Sequence, residues 1–243
     1  MKKEEYFSVI YEDDSLVGVN KASGISVGAD RWDTERERLD KMLAKMYAEK
    51  CRIFTVHRID KETSGVVIFA KNDEVHKNLS KAFENRLVKK QYIAVVCSRP
   101  SWKETECNLP LVPDGDKLHR TITDRYKGKK SLTRFKVLVS TMNYAVVEAF
   151  PETGRTHQIR VHLASMGHPI VCDPLYGNNP KPVYLSSFKR GWRGDPLDER
   201  PLLARLGLHA SLVTLPEGVT VQAPLPRDMS ALVKQMQKSG YAD

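Results

Sequence analysis

The 243-residue chain has few cysteines and no long apolar segment. Four cysteines are scattered along it: Cys51, Cys97, Cys107 and Cys172. They form no C-x-x-C pair and no cysteine/histidine cluster of zinc-finger spacing, so we expect reduced side chains that serve in packing. The longest apolar runs, such as residues 66–70 and 93–97, are far shorter than the roughly 20 residues of a membrane-spanning helix. The sequence therefore predicts no membrane segment.

The chain also lacks the features of a secreted protein. Its basic start, Met1-Lys2-Lys3, is followed by Glu4 and Glu5 rather than by an apolar stretch of roughly 7 to 15 residues. We expect no secretory signal and a cytoplasmic location.

Positive charge is in excess: 39 Lys and Arg face 30 Asp and Glu, a formal net charge of +9. Between residues 117 and 136 there are eight Lys or Arg and a single acid, Asp124. We expect this stretch to be an exposed insertion. A basic surface of this kind is suited to a polyanionic partner.

Apolar periodicity predicts an α+β fold with a mixed, mainly antiparallel β-sheet core, flanking helices and loops. Strand hairpins are predicted over residues 7–20, 133–150 and 208–223, and buried strands over residues 53–56, 66–70 and 91–97. Helices are predicted over residues 39–47, 72–83, 156–166 and 230–237, with Thr34 and Glu37 as a capping box for the first and Asn72 as the cap of the second. Residues 178–201 are rich in Pro, Gly and Ser and indicate a long loop. No repeat or sharp linker is present, so we expect a single domain over residues 1–243.

The first polar concentration reads HRIDKETSG at residues 57–65, between two apolar strands. It combines the carboxylate of Asp60 with the cations Arg58 and Lys61, and rigid strands commonly support such functional loops. A solvated turn with surface ion pairs is the alternative that composition leaves open.

The second polar concentration reads GRTHQIRVH at residues 154–162, at the start of a predicted helix. Arg155 and the backbone amides of the first turn could bind an anion, and Arg160 follows one turn further along the helix. Ile159 and Leu163 face the core. A capped basic helix on the surface is the alternative. A buried arginine beside a carboxylate would hold that carboxylate ionised.

Several chemistries lack their motifs. The string HRID is shared with the kinase catalytic loop, but the other kinase motifs are absent, as are the P-loop, H-E-x-x-H and G-x-S-x-G patterns. The seven histidines supply no convincing metal set, because His157 and His162 are five residues apart and lie off a common helix face. We expect no metal.

Five segments in order resemble the RluA-type pseudouridine synthases. HRIDKETSG at 57–65 is similar to their H-R-L-D-x-x-T-S-G motif, KQYIA at 90–94 to K-x-Y-x-A, and GRTHQIRVHL at 154–163, with GHPI at 167–170 and DPLYG at 173–177, to their third signature. The opening segments IYED and VNKASG and the later LHA at 208–210 also resemble the family. Ile59 stands where Leu is usual, and Ala22 where Pro is common.

The resemblance implies a pseudouridine synthase fold, in a single catalytic domain over residues 1–243 with no appended S4-like RNA-binding domain. It also implies roles for individual residues. Asp60 would be the catalytic carboxylate, Tyr92 the ring stacked on the target base, and Arg160 the cation paired with Asp60. Arg58 would help to displace or replace the flipped base. Further substrate-binding roles are implied for His57, Thr63, Arg155, His157 and Leu208.

The implied activity is the isomerisation of specific uridines in structured ribosomal or transfer RNA, by a monomer that flips the base from its stack. This reaction keeps every atom, so we expect no cofactor. Two other functions stay open from the sequence. One is a non-catalytic RNA-binding or chaperone protein on the same scaffold. The other is an RNA hydrolase that uses His157 or His162. Without the motif, Tyr92 would be taken for a strand aromatic packed in the core.

Overall fold

The computed structural model describes residues 6–29, 37–177, 180–189 and 191–239. Thr34 of the predicted capping box, and Asn178 and Arg190 of the predicted loops, lie outside the described residues. The helices are α1 (Leu39–Met46), α2 (Asp73–Glu84), α3 (Gln158–Ser165) and α4 (Arg227–Ser239). The strands are β1 (Phe7–Glu12), β2 (Leu16–Lys21), β3 (Phe54–Thr55), β4 (Ser64–Ala70), β5 (Lys89–Cys97), β6 (Glu104–Cys107), β7 (Leu111–Val112), β8 (Ile122–Thr123), β9 (Thr133–Ser140), β10 (Tyr144–Pro151), β11 (Leu208–Thr214) and β12 (Thr220–Gln222).

The chain forms two compact units. The first comprises the described residues of Met1–Lys90 and His209–Pro224, and the second those of Gln91–Leu208 and Leu225–Asp243. Each unit has its own run of paired strands and its own buried apolar clusters. The expectation of a single catalytic domain stays a prediction.

In the first unit the strand order is β1-β2-β4-β11, with β3 paired to β4 and β12 to β11. All these pairs are antiparallel except β4 with β11, where His209 lies beside Ser64 and Ala210 beside Gly65. Gly65 has a φ of +115°, and a Cβ atom there would overlap the backbone of Ala210. Glycine is therefore required where the two parallel strands meet.

Helix α2 covers the apolar face of this unit. Asn72 caps it as predicted, because its side chain accepts a hydrogen bond of 2.9 Å from the amide of Val75. Leu79 and Ala82 are buried on the helix and join a core cluster that contains Val66, Ile68, Val213 and Val221. The same packing places the connection from β3 to β4, residues 56–63, at one end of the strands.

In the second unit the strand order is β5-β10-β9-β6, and every pair is antiparallel. These strands are covered on both faces, which explains the near-continuous apolar sequence of β5. Ala94 and Val96 pack in one cluster with Ile159 and Leu163 of α3. The alternate residues Ile93 and Val95 pack in another, with Met229, Leu232 and Met236 of α4.

The mixed, mainly antiparallel sheet and its helices confirm the predicted α+β class, and the three hairpins and four helices lie where the sequence places them. The four cysteines are free thiols, as predicted. Helix α1 is shorter than the predicted three turns and has no side-chain cap. No helix within the described ranges is both long and apolar enough to cross a membrane.

The prediction that residues 117–136 form an exposed insertion is wrong for part of the stretch. It contains β8 and the start of β9, and Thr121, Ser131 and Phe135 are buried. The reason is that its backbone bonds to the preceding segment: Leu111 and Lys129 exchange two hydrogen bonds of 2.9 and 3.0 Å. Exposed cations do occur in the stretch, as predicted: the turn at residues 124–130 carries four, and Lys117, Arg134 and Lys136 are exposed as well.

Candidate active site

Asp60 lies on the connection from β3 to β4 in the first unit, and its neighbours are fixed to the fold. The carbonyl of Lys61 accepts hydrogen bonds from the amide of Gly24, at 2.8 Å, and from Lys21 Nζ, at 3.0 Å. The carbonyl of Glu62 accepts one of 2.7 Å from Ser23 Oγ. On the other side of Asp60, the side chain of Ile59 is buried. The aspartate is thus held in place from both sides while remaining partly accessible.

His57 begins this connection and has partners within the fold. Its Nε2 accepts a hydrogen bond of 2.9 Å from the amide of Ile68 in β4, and its ring stacks on Phe83 with centroids 4.5 Å apart. Burial, with a further contribution from the positive charge of Lys90, lowers the pKa of His57 to about 3. The ring is therefore neutral at pH 7, which suits an acceptor of a backbone amide hydrogen.

Two other predicted residues of this connection differ in exposure. Arg58 is exposed. Thr63 is 1% exposed, and its hydroxyl has no hydrogen-bond partner among the residues that the structure describes. Substrate-binding roles for His57, Arg58 and Thr63 stay predictions.

In the second unit, Arg160 on α3 is buried and forms a bidentate ion pair with Asp173. Its Nε and Nη2 donate to the two carboxylate oxygens, each at 2.8 Å. Asp173 is fully buried, and its Oδ1 also accepts from the amides of Leu175 and Tyr176, at 2.9 and 3.2 Å. The guanidinium lies over the ring of Tyr176, 5.1 Å from its centroid. This set of contacts fixes both the position and the plane of the guanidinium.

His157 and Tyr176 lie beside this pair. The hydroxyl of Tyr176 accepts from the amide of Thr121 at 3.0 Å and lies 2.8 Å from His157 Nδ1. Burial is the main cause that raises the pKa of Tyr176. Arg155 donates from Nε to the carbonyl of Lys130 at 3.2 Å. Of the residues predicted from the second polar concentration, Arg155, His157 and Arg160 are thus together on α3 and the turn before it.

The alternative of a capped surface helix is wrong for α3. Its residues 158–163 are all buried, and no side chain of the preceding residue caps its start. Gln158 bonds to this region instead. Its Oε1 accepts from Thr153 Oγ1 and from the amide of Arg155, at 2.6 and 3.0 Å, and its Nε2 donates to the carbonyl of Leu132 and to a threonine hydroxyl.

His162, proposed as a hydrolytic group in one alternative, is fully buried. Its ring nitrogens lie 3.0 Å from the hydroxyls of Ser131 and Thr133, and burial lowers its pKa. The ring is therefore part of the internal hydrogen bonding of the unit, which does not favour a hydrolase that uses it.

Tyr92 and Leu208 belong to the apolar side of the second unit. Tyr92 on β5 lies opposite Ala149 and is partly buried against the cluster that contains Ala94 and Val147. Leu208 is 3% exposed and is a member of that cluster. The stacking role of Tyr92 and the substrate-binding role of Leu208 stay predictions.

Sequence reasoning assigned no role to Asp173, Tyr176 or Gln158. Asp173 and Tyr176 lie in the segment DPLYG, which carries part of the family resemblance and could have pointed to them. Their hydrogen-bond partners lie elsewhere in the chain, so the segment alone did not reveal their contacts. Within the described ranges there is no group of three or more His, Cys, Asp or Glu side chains that could hold a metal ion.

Comparison with known proteins identifies related sequences and structures. Residues 15–165 match the model of a family described as RNA pseudouridylate synthase. The chain is 38% identical over 174 residues to the dual-specificity RNA pseudouridine synthase RluA of Vibrio cholerae, covering 72% of this chain and 70% of the relative. It is 33% identical over 245 residues to the ribosomal large subunit pseudouridine synthase D of Neisseria meningitidis, covering 97% of this chain and 62% of the relative.

A solved structure shares the fold. Human RNA pseudouridylate synthase domain containing 4 aligns with a TM-score of 0.74 and 24% identity, over 95% of this chain and 93% of that one. The chain belongs to the RluA-type family of RNA pseudouridylate synthases. It is an enzyme that isomerises uridine in RNA.

Proposed function

We propose that the enzyme isomerises specific uridines in structured ribosomal or transfer RNA, with Asp60 as the catalytic carboxylate. The observation that carries the proposal is the setting of Asp60. It lies on a connection whose flanking carbonyls, at Lys61 and Glu62, are hydrogen-bonded to residues 21–24. A carboxylate held by its backbone in this way needs little reorganisation before it reacts.

The chemistry requires one carboxylate and no net gain or loss of atoms. The bond from uracil N1 to ribose C1′ breaks, a bond from uracil C5 to C1′ forms, the hydrogen on C5 leaves as a proton, and N1 takes up a proton. Asp60 would attack the sugar or the base, or would first remove a sugar proton, and these covalent and elimination routes remain alternatives. Each needs Asp60 ionised, and none needs a redox cofactor or an energy donor.

We propose Arg160 as the cation that favours the ionised form of Asp60. Support comes from its burial and from its bidentate pair with Asp173, since a guanidinium fixed in one plane is a better electrostatic partner than a mobile one. The two bonds to Asp173 use two of the five N–H donors of a guanidinium.

A uridine within folded RNA must leave its stack before a carboxylate can reach it, at a cost of a few kcal/mol. We propose that stacking on Tyr92 offsets part of this cost and that Arg58, which is exposed, takes the place of the flipped base. Arg155 and His157 would contact the RNA near Arg160.

The decisive experiment replaces Asp60. Asp60→Asn keeps the size of the side chain but removes its charge, so we expect tritium release from RNA labelled at uracil C5 to fall to background, while RNA affinity stays within about threefold because neutral Asn makes no new phosphate contact. Glu62→Gln, two residues along the same connection, is the matched control and should retain turnover. Turnover retained in Asp60→Asn would contradict the assignment.

The RNA target is proposed from the relatives. One relative is named for the large ribosomal subunit, which makes ribosomal RNA the first candidate, and another is named for dual specificity. Transfer RNA is the second candidate, as the resemblance of the sequence motifs implies. Mapping pseudouridines in both RNAs from cells with and without the gene would identify the target. A pseudouridine found to the same extent in cells with and without the gene would be excluded as a target of this enzyme. We also propose a monomeric enzyme located in the cytoplasm, where both RNAs are found.

A further inference from the structure

One aromatic side chain of the basic stretch is not used by the fold. Tyr126 is 98% exposed. Nothing in the described part of the chain hydrogen-bonds to its hydroxyl or stacks on its ring. A fully hydrated aromatic ring contributes nothing to folding, but it offers a large, flat surface to a ligand.

Hydrogen bonds hold the backbone of the turn that carries Tyr126. Asp124 Oδ1 accepts hydrogen bonds from the amides of Tyr126 and Lys127, at 2.8 and 2.9 Å. Immediately beyond it, Lys129 and Leu111 exchange two backbone hydrogen bonds. A ring on so well fixed a backbone loses little conformational entropy when it binds a ligand.

The turn that carries the ring is rich in positive charge. Arg125, Lys127, Lys129 and Lys130 are exposed, and none of them forms an ion pair with a described residue. The one acid of the turn, Asp124, is directed at the backbone amides. The turn therefore combines a stacking surface with four exposed cations that form no ion pair within the described part of the chain.

We propose that Tyr126 stacks on an unpaired base of the RNA outside the target uridine, and that the four cations bind the neighbouring phosphates. Every base has a π-face and every nucleotide a phosphate, so an exposed aromatic ring among cations fits single-stranded or looped RNA. A fully paired duplex, whose bases are already stacked, fits only the cations. The inference goes beyond the proposed function and rests on it only in taking RNA as the ligand.

The turn is connected to the residues around Arg160 within the same unit. The carbonyl of Lys130 accepts from Arg155 Nε, and the amide of Thr121 donates to the hydroxyl of Tyr176, which lies against the guanidinium. An RNA strand held at Tyr126 would therefore be positioned relative to Arg160 by a continuous set of contacts.

The test uses the full chain and two fluorescent RNA probes: a hairpin with an unpaired loop and a blunt duplex of the same length. Tyr126→Ala should weaken hairpin binding about five- to 160-fold, the range for loss of one base–aromatic stack. Duplex binding should change less than about twofold, since the cations remain. Tyr126→Phe, which keeps the ring, should bind the hairpin like the unmodified chain.

Leu197→Ala is the matched control, because Leu197 is 97% exposed and lies outside the basic stretch. It should leave both affinities unchanged. Unchanged hairpin affinity in Tyr126→Ala, or an equal loss on both probes, would overturn the stacking role. Because the ring is exposed, thermal melting of Tyr126→Ala should match that of the unmodified chain.

The phosphate contacts are tested separately. Lys127→Ala combined with Lys129→Ala should weaken both probes and reduce the slope of log affinity against log salt by up to about 2. An unchanged slope would overturn the phosphate contacts. Tritium release by the unmodified chain tests the proposed function independently, because its absence would count against catalysis. The binding role of Tyr126 is tested by the RNA affinities alone.

Discussion

The orientation of the Arg160 guanidinium depends on a second residue, Asp173, with which it forms a bidentate ion pair. Both side chains are almost fully buried, at 3% and 0% exposure. Two parallel N–H to oxygen bonds restrict the guanidinium to one plane, and the amides of Leu175 and Tyr176 fix the carboxylate in turn. The ammonium group of a lysine would keep the attraction to Asp173 but would lose the fixed orientation of the guanidinium.

Arg160→Lys should therefore separate catalysis from binding. Lysine cannot make both bonds to Asp173, so its charge would be displaced. We expect turnover to fall by about 100-fold, the scale of a misplacement of roughly 1 Å, while RNA affinity changes by less than about threefold, since a buried cation adds little to phosphate binding. Single-turnover tritium release and fluorescence anisotropy would measure the two quantities.

The matched control is Arg134→Lys, because Arg134 is an exposed residue of β9 with a surface partner, Glu152. It should retain turnover. Equal losses of turnover and affinity in Arg160→Lys would indicate that Arg160 only binds phosphate.

The depressed pKa of His57 gives a pH dependence of stability. The folded-state pKa is about 3, below the ordinary value near 6.5 of an unfolded histidine. Between these values the unfolded chain binds more protons than the folded chain, so the contribution of His57 is complete above about pH 6.5 and is lost progressively towards pH 3.

His57→Gln keeps an acceptor for the amide of Ile68 but does not titrate. Its free energy of unfolding should fall less steeply than that of the unmodified chain between about pH 6.5 and 4, by at most one proton or ~1.4 kcal/mol per pH unit. Urea denaturation at a series of pH values measures the slope. Parallel curves for the two proteins would show that His57 already titrates normally in the folded state.

Among the secondary-structure elements, sequence patterns were sufficient to predict those that depend on contacts between residues close in the chain. The hairpin of β1 and β2, the cap of α2 and the alternation of β9 and β10 were all predicted, because each depends on residues close in sequence. Helix α3 was predicted to start at Thr156 but begins at Gln158. The side chain of Gln158 is bonded to residues 132 and 133, which are distant in sequence. The parallel pairing of β4 with β11 was not predicted either, since it joins segments about 145 residues apart.

The candidate site follows the same division. Asp60, Tyr92 and Arg160 were identified by resemblance of short segments, and the structure adds what short segments cannot contain. The bond from His57 to Ile68 and the pair of Arg160 with Asp173 depend on chain segments brought together by the fold. The exposure of Tyr126 was equally invisible, because a tyrosine in a basic stretch is compatible with either a buried or an exposed ring.

The contact of β4 with β11 predicts a large effect of a small substitution. Gly65→Ala would place a methyl group against the backbone of Ala210 at a φ of +115°. We expect a loss of about 3 kcal/mol or more in the free energy of unfolding, because both the clash and the strained backbone contribute. Urea denaturation followed by circular dichroism would measure it.

Gly218→Ala provides the control within the same unit. Gly218 lies in the turn between β11 and β12, with a φ of +88° and open space around it. Only backbone strain applies there, so the loss should be about 1 to 2 kcal/mol. Equal losses for the two substitutions would show that the Ala210 contact is not restrictive.

For the whole molecule, the net charge of +9 predicts strong salt dependence of RNA binding. Each phosphate neutralised by a cation releases counterions, so affinity for a structured RNA should fall at least tenfold between about 50 and about 200 mM monovalent salt. Fluorescence anisotropy across this range, with circular dichroism at each salt concentration as the control for folding, would test it. Constant affinity would mean that the basic turn is merely a solvated loop.

The discontinuity of the first unit matters for the order in which the protein is made. Its strands β1 to β4 come from the start of the chain, but β11 and β12 come from residues beyond 200. During translation, one edge of β4 therefore stays unpaired until the ribosome has synthesised β11. An unpaired strand edge can associate with other chains. A nascent or truncated chain that ends before β11 would thus be the species most in need of a chaperone.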